Sequence, residues 1–151
     1  MLTIFWDVRG MLYTEFLIKG LTVNSDRYCA TLRSLKQRIR RIRPERNTFL
    51  LHHDNARSHC SAQTRDAMIS LKFTVVPHPP YSPDLAPSDF WMFLKLKKTL
   101  KGHHFSSDAE VEAAVCKWIS SQPETFFMDG MNKWIERLKK CVAVNGDYVE
   151  K

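Results

Sequence analysis

Two acidic residues each follow a short apolar segment, and this arrangement limits the possible folds more than any other feature of the chain. Residues 48–51 lead to Asp54, while residues 73–76 are followed by a proline-rich connection that leads to Asp89. Short apolar segments bounded by turn residues predict buried strands, and proline stiffens a connection because it fixes φ. We therefore expect both carboxylates just beyond the ends of two strands, where they can bind one metal ion together.

Residue patterns elsewhere predict further strands and helices. Residues 3–6 and 11–18 are rich in β-branched and aromatic side chains, so they predict two strands joined by a hairpin turn at residues 7–10. Helices are predicted over residues 58–71, from the cap Ser88 onward, from the capping box Ser107 and Glu110 onward, and up to the stop at Asn145 and Gly146. The chain is expected to form one domain, residues 1–151, with a mixed sheet flanked by helices.

A long amphipathic helix is predicted to begin at Asn24 or Ser25 and to end before Pro44. Its apolar residues recur with a 4-3-4-3 spacing that forms one helical stripe, at Tyr28, Leu32, Leu35, Ile39 and Ile42. Its opposite face is basic, at Arg33, Lys36, Arg40 and Arg43. This basic face is open to two interpretations, a solvated helix surface or a surface that contacts phosphates of DNA.

Composition indicates a globular protein with an anionic partner. The 151 residues are 44% hydrophobic and 26% charged, with a net charge of +7. No apolar run approaches the ~20 residues of a membrane span, and residues 1–6 are too short for a secretory signal. The four cysteines form no CxxC pair, so we expect reduced thiols in an intracellular protein rather than a zinc or disulfide framework.

Two sequence blocks resemble the signature blocks of mariner-type transposases. The first is HDNARSH at residues 53–59, and the second is HPPYSPDLAPSD at residues 78–89. Thirty-four residues separate Asp54 from Asp89, as in the last two acids of the family's catalytic triad. Residues 140–142 and 145–148 also resemble the closing segment of the family. The similarity extends over essentially the whole chain.

This resemblance implies an RNase H-like catalytic core that cuts and joins DNA strands. In such a core three acids bind two Mg²⁺ or Mn²⁺ ions, which lie ~3.5–4 Å apart. By motif, Asp54 would be the second metal-binding acid and Asp89 the third. The resemblance further implies DNA partners, namely transposon ends and target, a possible homodimer and a nuclear location. Neither a membrane nor a small-molecule substrate is expected.

The sequence departs from the family pattern near its first residues. The first acid of the family lies in a Gly-Asp-Glu segment upstream of a Trp-Asp segment, and Trp6-Asp7 matches the latter. The first central strand with its acid, and the DNA-binding helix-turn-helix region, are therefore expected to be missing. Asp7 is interpreted as a turn or capping residue rather than as the first acid. The RNase H-like domain is thus expected to be incomplete.

This omission predicts structural and functional consequences. Either the hairpin pairs with the strand at residues 49–52, or the domain is loosened, or another chain fills the gap. With two acids instead of three, we expect weak metal binding and no DNA cleavage by this chain. The alternative function is a non-enzymatic module that binds DNA or a protein, or a transposon remnant without function.

Other polar residues allow a functional and a structural interpretation. A zinc site could be built from histidines in this region, but hydrogen bonding in loops or the core is the favoured interpretation for His52, His53, His59 and His78. Asn55 is expected to shape the turn after Asp54, and Asp84 to form a turn rather than supply a third acid. The tryptophans of the later helices are expected in the core rather than stacked on bases, at Trp91, Trp118 and Trp134.

Overall fold

The protein has an α/β fold with small sheets and several helices. The computed structural model describes residues 1–147, so Tyr148 of the predicted closing segment lies outside the described residues. The strands are β1 (Leu2–Asp7), β2 (Gly10–Phe16), β3 (Phe49–His52) and β4 (Phe73–Val76). The α-helices are α1 (Ser25–Ile42), α2 (Arg57–Cys60), α3 (Ala62–Ser70), α4 (Leu94–Leu100), α5 (Asp108–Ser121) and α6 (Glu124–Ala143). A 3₁₀ turn spans Pro83–Leu85, and a π-helix spans Ser88–Phe93.

The chain forms two compact units. The first unit contains Met1–Phe5 and Leu12–Tyr81, and the second contains Trp6–Met11 and the residues from Ser82 onward. Within the described part of the chain, no helix combines the length and the apolar character that a membrane span requires.

Helix α1 organises the first unit. Its apolar stripe packs against β3, α3 and β4, and the buried cluster consists of Tyr28, Leu32, Leu35, Ile39, Leu51, Met68 and Phe73. The predicted stripe is confirmed at its first four positions, whereas Ile42 is only half-buried. The helix begins where the Asn24 side chain accepts a hydrogen bond from the Arg27 amide at 2.8 Å. Pro44 follows its C-terminal end, where a proline opposes continuation of the helix.

Strands β3 and β4 are parallel neighbours, with Phe49 opposite Phe73 and His52 opposite Val76. Parallel strands require a crossover connection, which α2 and α3 provide here. Sequence analysis predicted one helix over residues 58–71, and the structure divides it at Ser61. Ser61 has an extended backbone, and its hydroxyl caps α3 by accepting a hydrogen bond from the Thr64 amide. A serine side chain can replace the helical hydrogen bond of a nearby backbone amide, so serine favours the start of a helix over its interior.

The two strand pairs form separate sheets, β1 with β2 and β3 with β4, among residues 1–147. Of the three alternatives, pairing of the hairpin with β3 is therefore not the one observed. Phe5, Leu12 and Tyr13 of the hairpin instead pack their side chains against the α1 cluster. Packing on a shared helix can stabilise a pair of strands that is marginal by itself.

Aromatic side chains form much of the core of the second unit. The ring of Trp6 lies 6.0 Å from Phe127, and the ring of Phe126 contacts Phe127, Trp91 and Trp118 at 5.3–5.7 Å. Trp91 and Trp118 thus pack against other aromatic rings, as predicted, although both are only half-buried. The predicted helix stop is also confirmed, since Asn145 and Gly146 adopt positive φ after α6.

Candidate functional site

Asp54 lies two residues beyond the end of β3, in the first unit, and more than half of its side chain is exposed. Its Oδ1 accepts a hydrogen bond from the Ala56 amide at 3.1 Å, which closes a turn over its own backbone. The same oxygen lies 2.7 Å from His59 Nδ1. Both contacts use Oδ1, so among the residues that the structure describes Oδ2 remains for other ligands.

Three rings pack together beside Asp54. The imidazoles of His53 and His59 stack with centroids 4.9 Å apart and planes 7° from parallel, and the Tyr28 ring lies 4.1 Å from His59. The Tyr28 hydroxyl and His53 Nδ1 form a hydrogen bond of 2.7 Å. Burial lowers the pKa of His53 to about 4, and burial followed by the Asp54 charge raises the pKa of Tyr28. Both groups are therefore uncharged at neutral pH.

A second histidine pair joins β3 to the segment after β4. His52 Nε2 lies 3.1 Å from His78 Nδ1, and burial with the neighbouring His78 lowers the pKa of His52 to about 4. Asn55 Nδ2 donates to the His78 carbonyl at 2.7 Å, so its side chain connects two loops as well as following Asp54. The predicted hydrogen-bonding role of His52, His53 and His78 is confirmed. Within residues 1–147, no three His, Cys, Asp or Glu side chains come together as a metal site.

Asp89 belongs to the second unit and is exposed at the second position of the π-helix. Single π turns are uncommon and often occur at functional sites. Sequence analysis predicted Ser88 as the helix cap, which is wrong because Pro87 occupies that position. The Ser88 hydroxyl instead accepts a hydrogen bond from Trp6 Nε1 at 3.2 Å. The convergence of Asp54 and Asp89 on one ion stays a prediction.

The structure assigns turn positions to the two other acids considered above. Asp7 Oδ1 accepts from the Arg9 amide at 2.9 Å in the hairpin turn, which confirms the predicted role. Asp84 lies in the 3₁₀ turn and is 3% exposed, and its carbonyl accepts from Arg137 Nη1 at 2.9 Å. Asp84 is therefore a turn residue of the core, as predicted.

Lys36, one of the four basic residues predicted on the DNA-contacting face of α1, is buried instead. Lys36 is 5% exposed, and its ammonium lies 4.0 Å from the centre of the Phe49 ring and 5.2 Å from that of Phe73. Burial, followed by the charges of Arg40 and Lys72, lowers its pKa. The prediction of a phosphate contact from Lys36 is therefore corrected, because its long stem packs in the core.

The other predicted phosphate contacts remain at or near the surface. Arg33 and Arg40 are exposed, whereas Arg43 is half-buried and donates from Nη1 to the carbonyl of Ile42 at 3.1 Å. The exposed basic face of α1 thus consists of Arg33 and Arg40, and the half-buried Arg43 follows the last residue of the helix.

Some of the contacts around the two acids could not be predicted from the sequence. No signal in the sequence indicated that the Tyr28 hydroxyl bonds His53 beside Asp54, because Tyr28 comes from a distant segment. His59 lies in the same sequence block as Asp54, and the structure brings the two side chains into contact. Gly130 was also missed, although an isolated glycine inside a helical pattern often marks a close approach. A Cβ atom at Gly130 would lie 2.6 Å from Trp91 Cδ1 and 2.9 Å from Trp6 Cη2.

Comparison with known proteins relates this fold to transposases. The family model described as Transposase (partial DDE domain) matches residues 1–49, ahead of both acids. The chain is 38% identical to the Mariner Mos1 transposase of Drosophila mauritiana over 99% of its own length. That match covers 45% of the relative, so the chain spans less than half of it.

Solved structures of Mos1 transposase have the same fold. A structure of its catalytic domain with Raltegravir and Mn matches 99% of this chain and 76% of its own chain, with 38% identity and a TM-score of 0.95. A paired-end complex with the left transposon end matches 97% of this chain and 44% of its own, with 39% identity and a TM-score of 0.93. The predicted RNase H-like fold is thereby confirmed. On this sequence identity and this shared fold, the chain belongs to the mariner-type transposases.

Proposed function

We propose that this chain is part of a mariner-type catalytic domain and that Asp54 and Asp89 are ligands for Mg²⁺ or Mn²⁺. The observation that carries the proposal is the geometry of Asp54, whose exposed carboxylate is held at Oδ1 by two contacts within residues 1–147. The separation of 34 residues between the two acids supports it. The Mos1 catalytic domain, which has this fold, has been solved with Mn.

Asp54 and Asp89 are the right type of ligand for a hard divalent cation, but the family's site has a third acid. Carboxylate oxygens are the preferred protein ligands of Mg²⁺, which also keeps several waters. Both Asp54 and Asp89 are exposed, so each carboxylate is accessible to a hydrated ion. Asp7 is engaged in its turn and Asp84 is buried, so neither replaces the first acid of the family. We therefore propose that this chain alone does not cleave DNA.

The residues of the chain contribute positioning and charge to the proposed chemistry. Bound divalent ions would activate the attacking water or 3′-hydroxyl and stabilise the leaving oxygen. The turn at Ala56 fixes the Asp54 carboxylate at the end of β3. The hydrogen bond from Trp6 to Ser88 holds the start of the π-helix, which carries Asp89 at its next position. Each of these contacts helps to hold one acidic side chain within its own unit, which favours metal binding by that carboxylate.

DNA is the proposed macromolecular partner. The net charge of +7 and the exposed Arg33 and Arg40 on α1 favour binding to phosphates. One Mos1 structure of the same fold is a complex with a transposon end. DNA binding without cleavage is compatible with the second candidate function, a non-enzymatic module, which the incomplete acid set favours. A homodimer and a nuclear location belong to the same proposal.

Charge reversal on α1 tests DNA binding. The affinity of the purified chain for a labelled duplex should fall steeply as salt rises, and the double variant Arg33→Glu/Arg40→Glu should bind more weakly. Each lost phosphate contact should reduce the slope of log K against log salt by about 0.9. Fluorescence anisotropy over a salt series measures both quantities.

A matched control carries the same charge change on other helices, at the exposed Lys117 and Lys139. Lys117→Glu/Lys139→Glu has the same net charge as the α1 variant, so it should retain the wild-type salt slope if contacts on α1 matter. If both double variants lost the same affinity for the duplex, overall charge rather than contacts on α1 would explain DNA binding. A salt-independent affinity in the wild type would contradict the proposed DNA partner.

A further inference from the structure

The contact between Asp54 and His59 has the geometry of a held carboxylate. His59 Nδ1 lies 2.7 Å from Asp54 Oδ1 and 3.3 Å from the carbonyl oxygen of the same residue. The Ala56 amide donates to Oδ1 as well, at 3.1 Å. Two donors thus converge on one carboxylate oxygen, which restricts rotation of the carboxyl group and leaves Oδ2 to bind a cation.

His59 is itself held by its neighbours. Its ring stacks on His53 at 4.9 Å and lies 4.1 Å from the ring of Tyr28, and its side chain is only 20% exposed. The hydrogen bond between Tyr28 and His53 closes this group of rings. The orientation of the His59 Nδ1–H group is therefore set by packing before any ligand binds.

We propose that His59 is a positioning residue that holds the Asp54 carboxylate for a divalent cation, by donating from Nδ1 to Oδ1. This inference rests on the proposed role of Asp54 as a metal ligand. A neutral imidazole with its proton on Nδ1 is sufficient for this contact. Hydrogen bonds from outside the coordination sphere orient carboxylate ligands and raise metal affinity in known metal sites.

Two substitutions separate the hydrogen bond from the ring packing. His59→Phe keeps an aromatic ring against Tyr28 and His53 but removes the donor. His59→Asn removes the ring but keeps an N–H donor, because its side-chain amide nitrogen occupies the position of Nδ1. His59→Ala removes both features and provides a second variant without a donor. The exposed His104 gives the control His104→Ala.

The test is a Mn²⁺ titration of the full chain, in which electron paramagnetic resonance measures the free ion. Circular dichroism and thermal unfolding of each variant accompany it. We expect Asp54→Asn to weaken Mn²⁺ binding, and His59→Phe and His59→Ala to weaken it by about 10-fold, the lower end of the range for such outer contacts. His59→Asn and His104→Ala should bind Mn²⁺ like the wild type.

The outcomes distinguish this inference from the proposed function. If Asp54→Asn weakens binding while His59→Phe does not, Asp54 keeps its proposed role and the positioning role of His59 is overturned. If His59→Asn binds Mn²⁺ weakly while His59→Phe binds it like the wild type, ring packing rather than hydrogen-bond donation supports metal binding. That outcome also overturns the positioning role of His59. If Asp54→Asn binds Mn²⁺ like the wild type, the proposed metal-binding function fails and this inference fails with it.

Discussion

Lys36 and His53 are ionisable side chains placed among apolar and aromatic neighbours of the first unit. Burial disfavours the charged form of each, and it lowers the pKa of both residues. Lys36 offsets this cost by lying over the rings of Phe49 and Phe73, while His53 stays neutral and pairs with the Tyr28 hydroxyl. At the residue scale, two ionisable side chains therefore pack among apolar and aromatic neighbours instead of facing water.

The lowered pKa of His53 predicts that the protein loses stability in mild acid. Its pKa falls from 6.5 to about 4 in the folded state, so between these values the unfolded chain binds more protons. The free energy of unfolding should therefore decrease as pH falls from about 6.5 to about 4. Thermal unfolding at a series of pH values measures this change.

The variant His53→Asn tests which group is responsible, since asparagine can still hydrogen-bond Tyr28 but does not titrate. Its melting temperature should depend less on pH than that of the wild type. Some dependence should remain, because burial lowers the pKa of His52 to about 4 as well. Substitution of the exposed His104 by asparagine should leave the wild-type dependence unchanged, and an identical pH profile for His53→Asn would refute the assignment.

At the scale of elements, α6 and the π-helix approach each other closely at Gly130. Trp6 and Trp91 fill the space that a side chain at this position would need. The same two indoles form hydrogen bonds, from Trp6 to Ser88 and from Trp91 to the carbonyl of Phe126. The glycine therefore allows the contact that fixes the segment bearing Asp89.

Gly130→Ala should destabilise the protein despite the higher helix propensity of alanine. The added Cβ would lie 2.6 Å from Trp91 Cδ1, so an indole or the helix must shift. Such overpacking costs typically about 1–3 kcal/mol, against a propensity gain of up to about 1 kcal/mol. Urea unfolding measures the net change, and near-ultraviolet circular dichroism reports the tryptophan environment.

Asn132→Ala is the matched control, because Asn132 is exposed on the same helix. This variant should be neutral or slightly stabilising, since only propensity changes. If Gly130→Ala proved as stable as Asn132→Ala with unchanged near-ultraviolet spectra, the close approach would have no energetic importance.

At the scale of the whole molecule, the strands lack the continuity of one sheet within residues 1–147. Strands β1 and β2 form one pair and β3 and β4 another, so each pair presents edges with unused backbone groups. Leu50 of β3 is 77% exposed, which is unusual for an apolar residue of a parallel strand. That the domain is loosened, or that another chain supplies a strand, stays a prediction.

The proposal that this chain alone does not cleave DNA predicts no nicking of plasmid DNA. Supercoiled plasmid incubated with the purified protein and Mg²⁺ or Mn²⁺ should remain supercoiled, because within residues 1–147 no three ligand side chains come together to hold the metal ions. Gel electrophoresis of the plasmid measures conversion to the open-circular form. Robust cleavage that disappears in Asp54→Asn would overturn this prediction.

Particular residues show how far the sequence supports the fold and the site. The stripe of α1 and the strands β3 and β4 follow from apolar spacing, and the motif blocks led to Asp54 and Asp89. The break at Ser61 and the placement of Ser88 were missed, because serine can cap a helix, lie within it or bind a distant side chain. Lys36 was misplaced because its long apolar stem allows a basic residue to enter the core.

The sequence alone determined most strands, most helices and the family of this protein, since these depend on local patterns of side chains along the chain. Only the tertiary structure decided which partners surround each polar group. Packing brings Tyr28, His53 and His59 together beside Asp54, and it brings Trp6 and Gly130 together beside the π-helix. The contacts of Tyr28 with His53 and of Trp6 with Gly130 join residues far apart in the sequence, so no local pattern encodes them.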